Sequence, residues 1–164
     1  RLFQIAAQFT TDWPRSQRTL ISWVIFNYLI GNRDTHAKNL SFTLSPGSIR
    51  LTPFYDLLST AIYPAGEKEL SLKIGGQNRA HAVNRDNWRR FARDIKAEWP
   101  LVESTARRMA ASLPARAEAV AARMTLSTSE KRRLKTVMRL IAAQCRHLQH
   151  TLVESRAQPP VSPE

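Results

Sequence analysis

The sequence predicts a mainly α-helical domain with one small β-hairpin near its middle, and three observations lead there. The stretch SQRTLISWVIFNYLI at 16–30 is apolar around nearly its whole circumference beyond Arg18, as a helix buried in the centre of a domain must be. From Asn84 onward apolar residues recur at three and four positions, which is the helical period. Between these regions, the segment 40–54 carries β-branched and aromatic residues on both sides of a Pro-Gly turn. With 164 residues, 43% of them apolar, the chain has the length and composition of one domain around one core.

The elements follow in order. The chain opens on Arg1, and its first residues read as the middle of a helix, so a piece of a longer polypeptide is expected. Ser16 is the expected N-cap of the buried helix and Gly31 its stop. LSFTL and IRLTPF flank SPGS as the two arms of the hairpin, and ELSLKIGG at 69–76 is a second strand-like run whose Gly75-Gly76 reads as a turn. Trp88, Phe91, Ile95 and Trp99 define one amphipathic helix ending at Pro100. Val102, Ala106, Met109 and Leu113 define another that reaches Pro114, followed by a short alanine-rich segment at 115–124. Ser127 with Glu130 forms a capping-box pattern. It opens a long helix with Leu134, Val137, Met138, Ile141, Cys145, Leu148 and Leu152 on one face. The tail SRAQPPVSPE has no periodicity and is expected to be disordered, so the domain is expected over 1–154 and the tail over 155–164.

Charge narrows the partners without naming one. Lys and Arg number 25 against 13 Asp and Glu, a formal net charge of +12 that favours phosphate-rich partners or acidic protein surfaces. Arg89-Arg90, Arg107-Arg108 and the Lys131-Arg132-Arg133-Lys135 cluster fall on polar helix faces, where a solvated surface is the ordinary reading. No aromatic residues interleave with them, which argues against stacking on single strands. The single cysteine, Cys145, lies in an apolar helical pattern and is expected to be a buried thiol in a reducing compartment. No run of about 18 apolar residues occurs and no signal-peptide design is present, so a cytoplasmic location without a membrane partner is expected.

The chemistry concentrates in GNRDTHAKNLSF at 31–42. Phosphoryl transfer from a nucleotide needs a carboxylate to accept the proton of the attacking hydroxyl and oxygen ligands that hold magnesium on the phosphates. Asp34 is placed to be that base. Asn39 lies five residues beyond it, a hairpin follows, and Asp56 comes next in PFYDLLS. Asn39 and Asp56 are the oxygen ligands this order suggests. His36 suits magnesium poorly and reads as a donor to phosphate or an orienter of Asp34. Lys38 either brings charge to the phosphoryl group or points outward. By chance D-x-H-x-x-N arises in about one chain of this length in a hundred, so the order of elements around it carries the specificity.

GNRDTHAKNLSF, LTPFYDLLST and, more loosely, LSLKIGG with the Trp88 and Phe91 helix resemble the HipA-like kinases, toxins of bacterial toxin and antitoxin pairs. The resemblance spans about residues 16–100. It implies that the chain is the helical C-terminal lobe of a protein-kinase-like fold, with Asp34 as base and Asn39 and Asp56 as Mg2+ ligands. It also implies that His36, Ala37, Lys38 and Asn39, together with Tyr55 and Asp56, contact ATP. The implied substrate is a serine or threonine hydroxyl of an aminoacyl-tRNA synthetase. The implied partner is a helix-turn-helix, HipB-like antitoxin through which operator DNA is bound. No glycine-rich phosphate loop and no V-A-I-K-like strand occur in the 164 residues, so half of an active site is expected here. The alternatives are a small-molecule phosphotransferase of the aminoglycoside or choline kinase type, which the basic composition disfavours, and a basic helical module for nucleic acid.

Overall fold

Helix α2 (Trp13–Ile30) is the axis around which the other elements pack, and its sequence dictates that position. Leu20, Ile21, Ile25 and Leu29 point in different directions around it, and all four are fully buried in the computed structural model, which describes residues 1–63 and 69–153. The helix starts earlier than Ser16. Asp12 accepts the Arg15 N–H at 3.1 Å and Pro14 stands in the first turn, two start signals that outrank a serine. It stops at Gly31 as expected, with φ of 69°, a left-handed conformation glycine adopts without steric penalty. A Cβ at Gly31 would lie 2.7 Å from Leu140 Cδ2, so the chain there is pressed against the last helix.

Helix α1 (Leu2–Phe9) packs on α2 through Phe3 and Ala6, with the Phe3 ring edge-on to Trp13 and Phe91. After the loop at 31–41, strands β1 (Phe42–Ser45) and β2 (Ser48–Leu51) form a two-stranded antiparallel sheet, the hairpin expected around Pro46-Gly47. Helices α3 (Arg85–Asp94), α4 (Trp99–Ala121) and α5 (Thr128–Val153) complete the fold. Ser127 and Glu130 form the expected reciprocal cap at the start of α5, and the hydrogen bonds from Ser127 hold the Glu130 carboxyl below its usual range. Helices α4 and α5 fold back antiparallel, and Arg107 Nη2 donates to the Leu152 carbonyl at 2.6 Å, satisfying one of the open acceptors at the end of α5.

Three further expectations are corrected. Pro100 begins a helix rather than ending one: Lys96 turns the chain with φ of 53° after α3, and Trp99 and Pro100 are the first two residues of α4. Trp99 instead lies under the guanidinium groups of Arg85 and Arg89, each 5.7 Å from its ring centre. Pro114 does not end α4, which continues to Ala121. Leu113 and Ala117 on either side of it pack on the core and offset the one backbone bond the proline cannot donate. The run at 69–76 is not a strand. Ile74 and Gln77 exchange backbone hydrogen bonds of 2.9 and 3.0 Å around Gly75 and Gly76, both with positive φ, and among the described residues the pairing stays an isolated bridge. The expected disorder of the tail falls outside the described residues.

That turn is tightly enclosed. A Cβ on Gly75 would lie 2.0 Å from the Asn87 carbonyl oxygen, whereas one on Gly76 would meet only the Arg90 guanidinium at 3.8 Å. Gly75→Ala is therefore expected to destabilise the chain by more than about 2 kcal/mol, and Gly76→Ala by about 1–2 kcal/mol from backbone conformation alone. Urea unfolding midpoints compare them, and equal shifts would show that the contact with α3 is unimportant.

The core beneath is aromatic. The Trp88 ring meets Tyr28 and Phe91 edge-on at 5.4 and 5.8 Å, and the Tyr28 hydroxyl donates to the Ala80 carbonyl at 3.1 Å. Burial, with a smaller contribution from Cys145, pushes the Tyr28 phenol well above its ordinary value. Cys145 on α5 is buried as expected, and burial raises its thiol to about 11. Among the described residues no helix is long and apolar enough to cross a membrane.

Candidate active site

The buried C-terminal half of α2 carries one amide, Asn27, and the loop is built from it. Asn27 donates to the Trp23 carbonyl at 2.8 Å, one helical turn back, which leaves its Oδ1 to accept from Asn32 Nδ2 at 2.8 Å. Asn32 is itself only 4% exposed, so its polar atoms need partners. Its Nδ2 also donates to the Asp56 carbonyl at 3.1 Å, and its Oδ1 accepts the Asp34 N–H at 3.1 Å. One side chain thus joins the helix end, the loop and the segment beyond the hairpin. Thr60 Oγ1 accepts the Arg33 N–H at 2.7 Å, and Ser71 Oγ donates to the Arg33 carbonyl, so residue 33 is held from two further segments.

Asp34 emerges from this frame with its side chain 70% exposed. His36 Nε2 stands 3.9 Å from Asp34 Oδ1, within electrostatic reach and beyond hydrogen-bonding distance. The chain then makes a 3-10 turn at Ala37–Asn39, where Ala37 and Lys38 are exposed and Asn39 is buried. The His36 backbone N–H can only donate, so the Asn39 atom 2.8 Å from it is Oδ1. That fixes the amide and turns Nδ2 onto Asp56 Oδ2 at 2.6 Å. The hairpin closes the distance between these two residues, with Thr52 N donating to the Ser41 carbonyl at 3.0 Å at its base. Tyr55 clamps the opposite side, its hydroxyl donating to the Lys38 carbonyl at 2.7 Å. Asp56 has φ of 57°, a left-handed conformation that aspartate tolerates better than most side chains. It is held there by Asn32 on its carbonyl and Asn39 on its carboxylate.

The fold therefore brings Asn39, Asp56 and Tyr55 into one cluster and sets Asp34 and His36 side by side on the same loop. Asn27, Asn32, Thr60 and Ser71 were not singled out from the sequence. The available signal was Asn27 itself, the one amide in the stretch of α2 from Leu20 to Ile30, where no residue is exposed. Among the described residues no group of three or more His, Cys, Asp or Glu side chains gathers into a metal cage. A magnesium ion carried on nucleotide phosphates needs only one or two carboxylates.

A helical lobe that presents an exposed Asp34, a buried Asn39 five residues on and Asp56 across a hairpin has the plan of the C-terminal lobe of a protein-kinase-like enzyme. The chain belongs to the HipA-like C-terminal domain family, which matches residues 1–145. It is 35% identical over 120 residues to a putative kinase, Y4mE, of Sinorhizobium fredii, covering 73% of this chain and 27% of that protein. It is 39% identical over 74 residues to the serine/threonine-protein kinase toxin HipA of Shewanella oneidensis, covering 45% of this chain and 17% of the toxin. The fold is similar to a chain in the Shewanella oneidensis complex of HipA, HipB and operator DNA. The TM-score is 0.86 at 26% identity, over 97% of this chain and 37% of that one. The chain thus spans about a quarter of the first of these relatives.

Proposed function

We propose that this chain is the catalytic-loop lobe of a HipA-like serine/threonine protein kinase that transfers the γ-phosphoryl group of ATP to a protein hydroxyl. The observation that carries the reading is the 2.6 Å contact between Asn39 and Asp56 beside an exposed Asp34, because it gathers two oxygen-bearing groups next to a free base. The donor set fits magnesium. Asn39 Oδ1 retains a second lone pair after accepting from His36, Asp56 Oδ1 has no hydrogen bond among the described residues, and both are hard oxygen donors. When bound, the ion supplies charge neutralisation on the phosphates. Asp34 accepts the proton of the attacking hydroxyl, and the adjacent His36 orients that carboxylate or donates to phosphate. Ala37, Lys38, Asn39 and Tyr55 line the nucleotide side.

The lobe comprises residues 1–154, and the part that covers the phosphates belongs to the remainder of the complete protein. The isolated chain then binds nucleotide weakly and transfers nothing. A HipB-like helix-turn-helix antitoxin is the proposed partner, bringing operator DNA with it, and this is supported by the composition of the Shewanella complex. The proposed acceptor is an aminoacyl-tRNA synthetase, in the cytoplasm. Label transfer from γ-labelled ATP with magnesium tests the reading: the complete protein is expected to phosphorylate a protein hydroxyl and the 164-residue chain alone is not. An inert complete protein would overturn the kinase reading, and an active isolated chain would overturn the half-site.

A further inference from the structure

Away from the loop, a groove of about 410 Å3 runs between the start of α2 and strand β2, its lining part apolar and part polar. Arg15 and Arg50 line it, and neither guanidinium has a hydrogen-bond or ion-pair partner among the described residues. Its carboxylate, Asp12, is engaged on the Arg15 N–H as the helix cap. Thr11 Oγ1 accepts the Ile49 N–H at 2.8 Å, which leaves the threonine proton available to donate. The groove is therefore rich in donors and positive charge, and it suits a partner that brings acceptors and negative charge.

The backbone adds a second, independent indication. Thr11 already pairs with the outer edge of β2, since its N–H donates to the Ile49 carbonyl at 3.0 Å while Ile49 N–H bonds its hydroxyl. In an antiparallel ladder outward-facing residues alternate, so the next outward N–H and C=O belong to Leu51. Leu51 also lines the groove, and no described backbone group outside the ladder meets it. Thr11 occupies one rung of an added strand and the following rung is open. An extended peptide fits an open strand edge, whereas a nucleic acid has no use for one.

We propose that this groove docks an extended acidic segment of the phosphoacceptor protein, its backbone paired to Leu51 and its carboxylates on Arg15 and Arg50. The identity of the partner rests on the kinase reading; the docking itself does not. The groove also contains Pro53 and Phe54, the two residues that precede Tyr55 and Asp56 along the chain.

Fluorescence anisotropy on the 164-residue chain tests the docking without ATP. The probes are a labelled octapeptide of alternating Thr and Glu, its Gln counterpart, a version N-methylated at alternate residues, and oligothymidylate of equal charge. The Thr-Glu peptide is expected to bind best. Arg15→Gln and Arg50→Gln are each expected to weaken it about threefold to fivefold, the upper part of the range of exposed ion pairs. Variants that bind like the parent, or N-methylation without effect, would overturn the proposal. Oligothymidylate bound more tightly and lost in the same variants would assign the groove to nucleic acid and overturn it too. In the complete protein, the same variants are expected to raise KM for the protein acceptor with kcat unchanged. An unchanged KM would remove the acceptor as occupant, and an enzyme that transfers no phosphate would overturn the kinase reading while leaving the peptide docking intact.

Discussion

Replacing Asp34 by Asn is expected to lower phosphoryl transfer by the complete protein by about 10²–10⁴-fold, the contribution of a positioned general base. The amide has the shape of the carboxylate and can accept a hydrogen bond, but it cannot take up the proton of the attacking hydroxyl. The fold should not notice the change, because the side chain is 70% exposed and the bond that fixes the residue comes from its own backbone N–H to Asn32 Oδ1. Unfolding midpoints should agree to within about 0.5 kcal/mol, as for other surface substitutions. Transfer rate and urea unfolding, measured on one preparation, separate the outcomes. An unfolded Asp34→Asn protein would make the residue structural, and an unimpaired rate would move the base elsewhere.

Asn32→Ala is expected to have the largest effect on stability of any change in the loop. The side chain is 4% exposed and makes three hydrogen bonds, to Asn27 Oδ1, the Asp56 carbonyl and the Asp34 N–H. Truncation leaves three polar groups with a missing partner, and each buried one carries a penalty of about 1–3 kcal/mol. A loss of about 2–4 kcal/mol in urea unfolding is the expected result. Because Asp34 and Asp56 are held through the same amide, transfer should fall with it even under conditions where the variant is folded. A stable Asn32→Ala protein with normal activity would show that Thr60 and Ser71 hold the loop without it.

Whatever the sequence revealed was periodic or punctuated. Helix α2, its stop at Gly31, the hairpin and the capped start of α5 each rest on a local rule, and each is found. Boundaries were misread where one residue supports two meanings. Pro100 ends a helix or begins one, and the choice was made by the left-handed turn at Lys96, which no residue type requires. The strand-like pattern at 69–76 finds only an isolated bridge among the described residues, not the continuous ladder that makes a strand. In the loop, the spacing of Asp34, Asn39 and Asp56 was legible because it lies along the chain. The frame around them was not, since Asn32 to Asp56 and Ser71 to Arg33 are bonds between segments that only the folded chain brings together.

Cys145 has a practical consequence. It is the only cysteine in the chain, 1% exposed, with its thiol at about 11. The thiolate is the form that alkylating reagents attack, and near pH 8 roughly one thiol in a thousand would be ionised at such a value. Alkylation therefore has to wait for α5 to leave the core, after which the exposed thiol reacts at its ordinary rate. The 164-residue chain thus carries a single built-in reporter, and the yield of tagged protein against time would give the opening equilibrium of α5 without any engineered label.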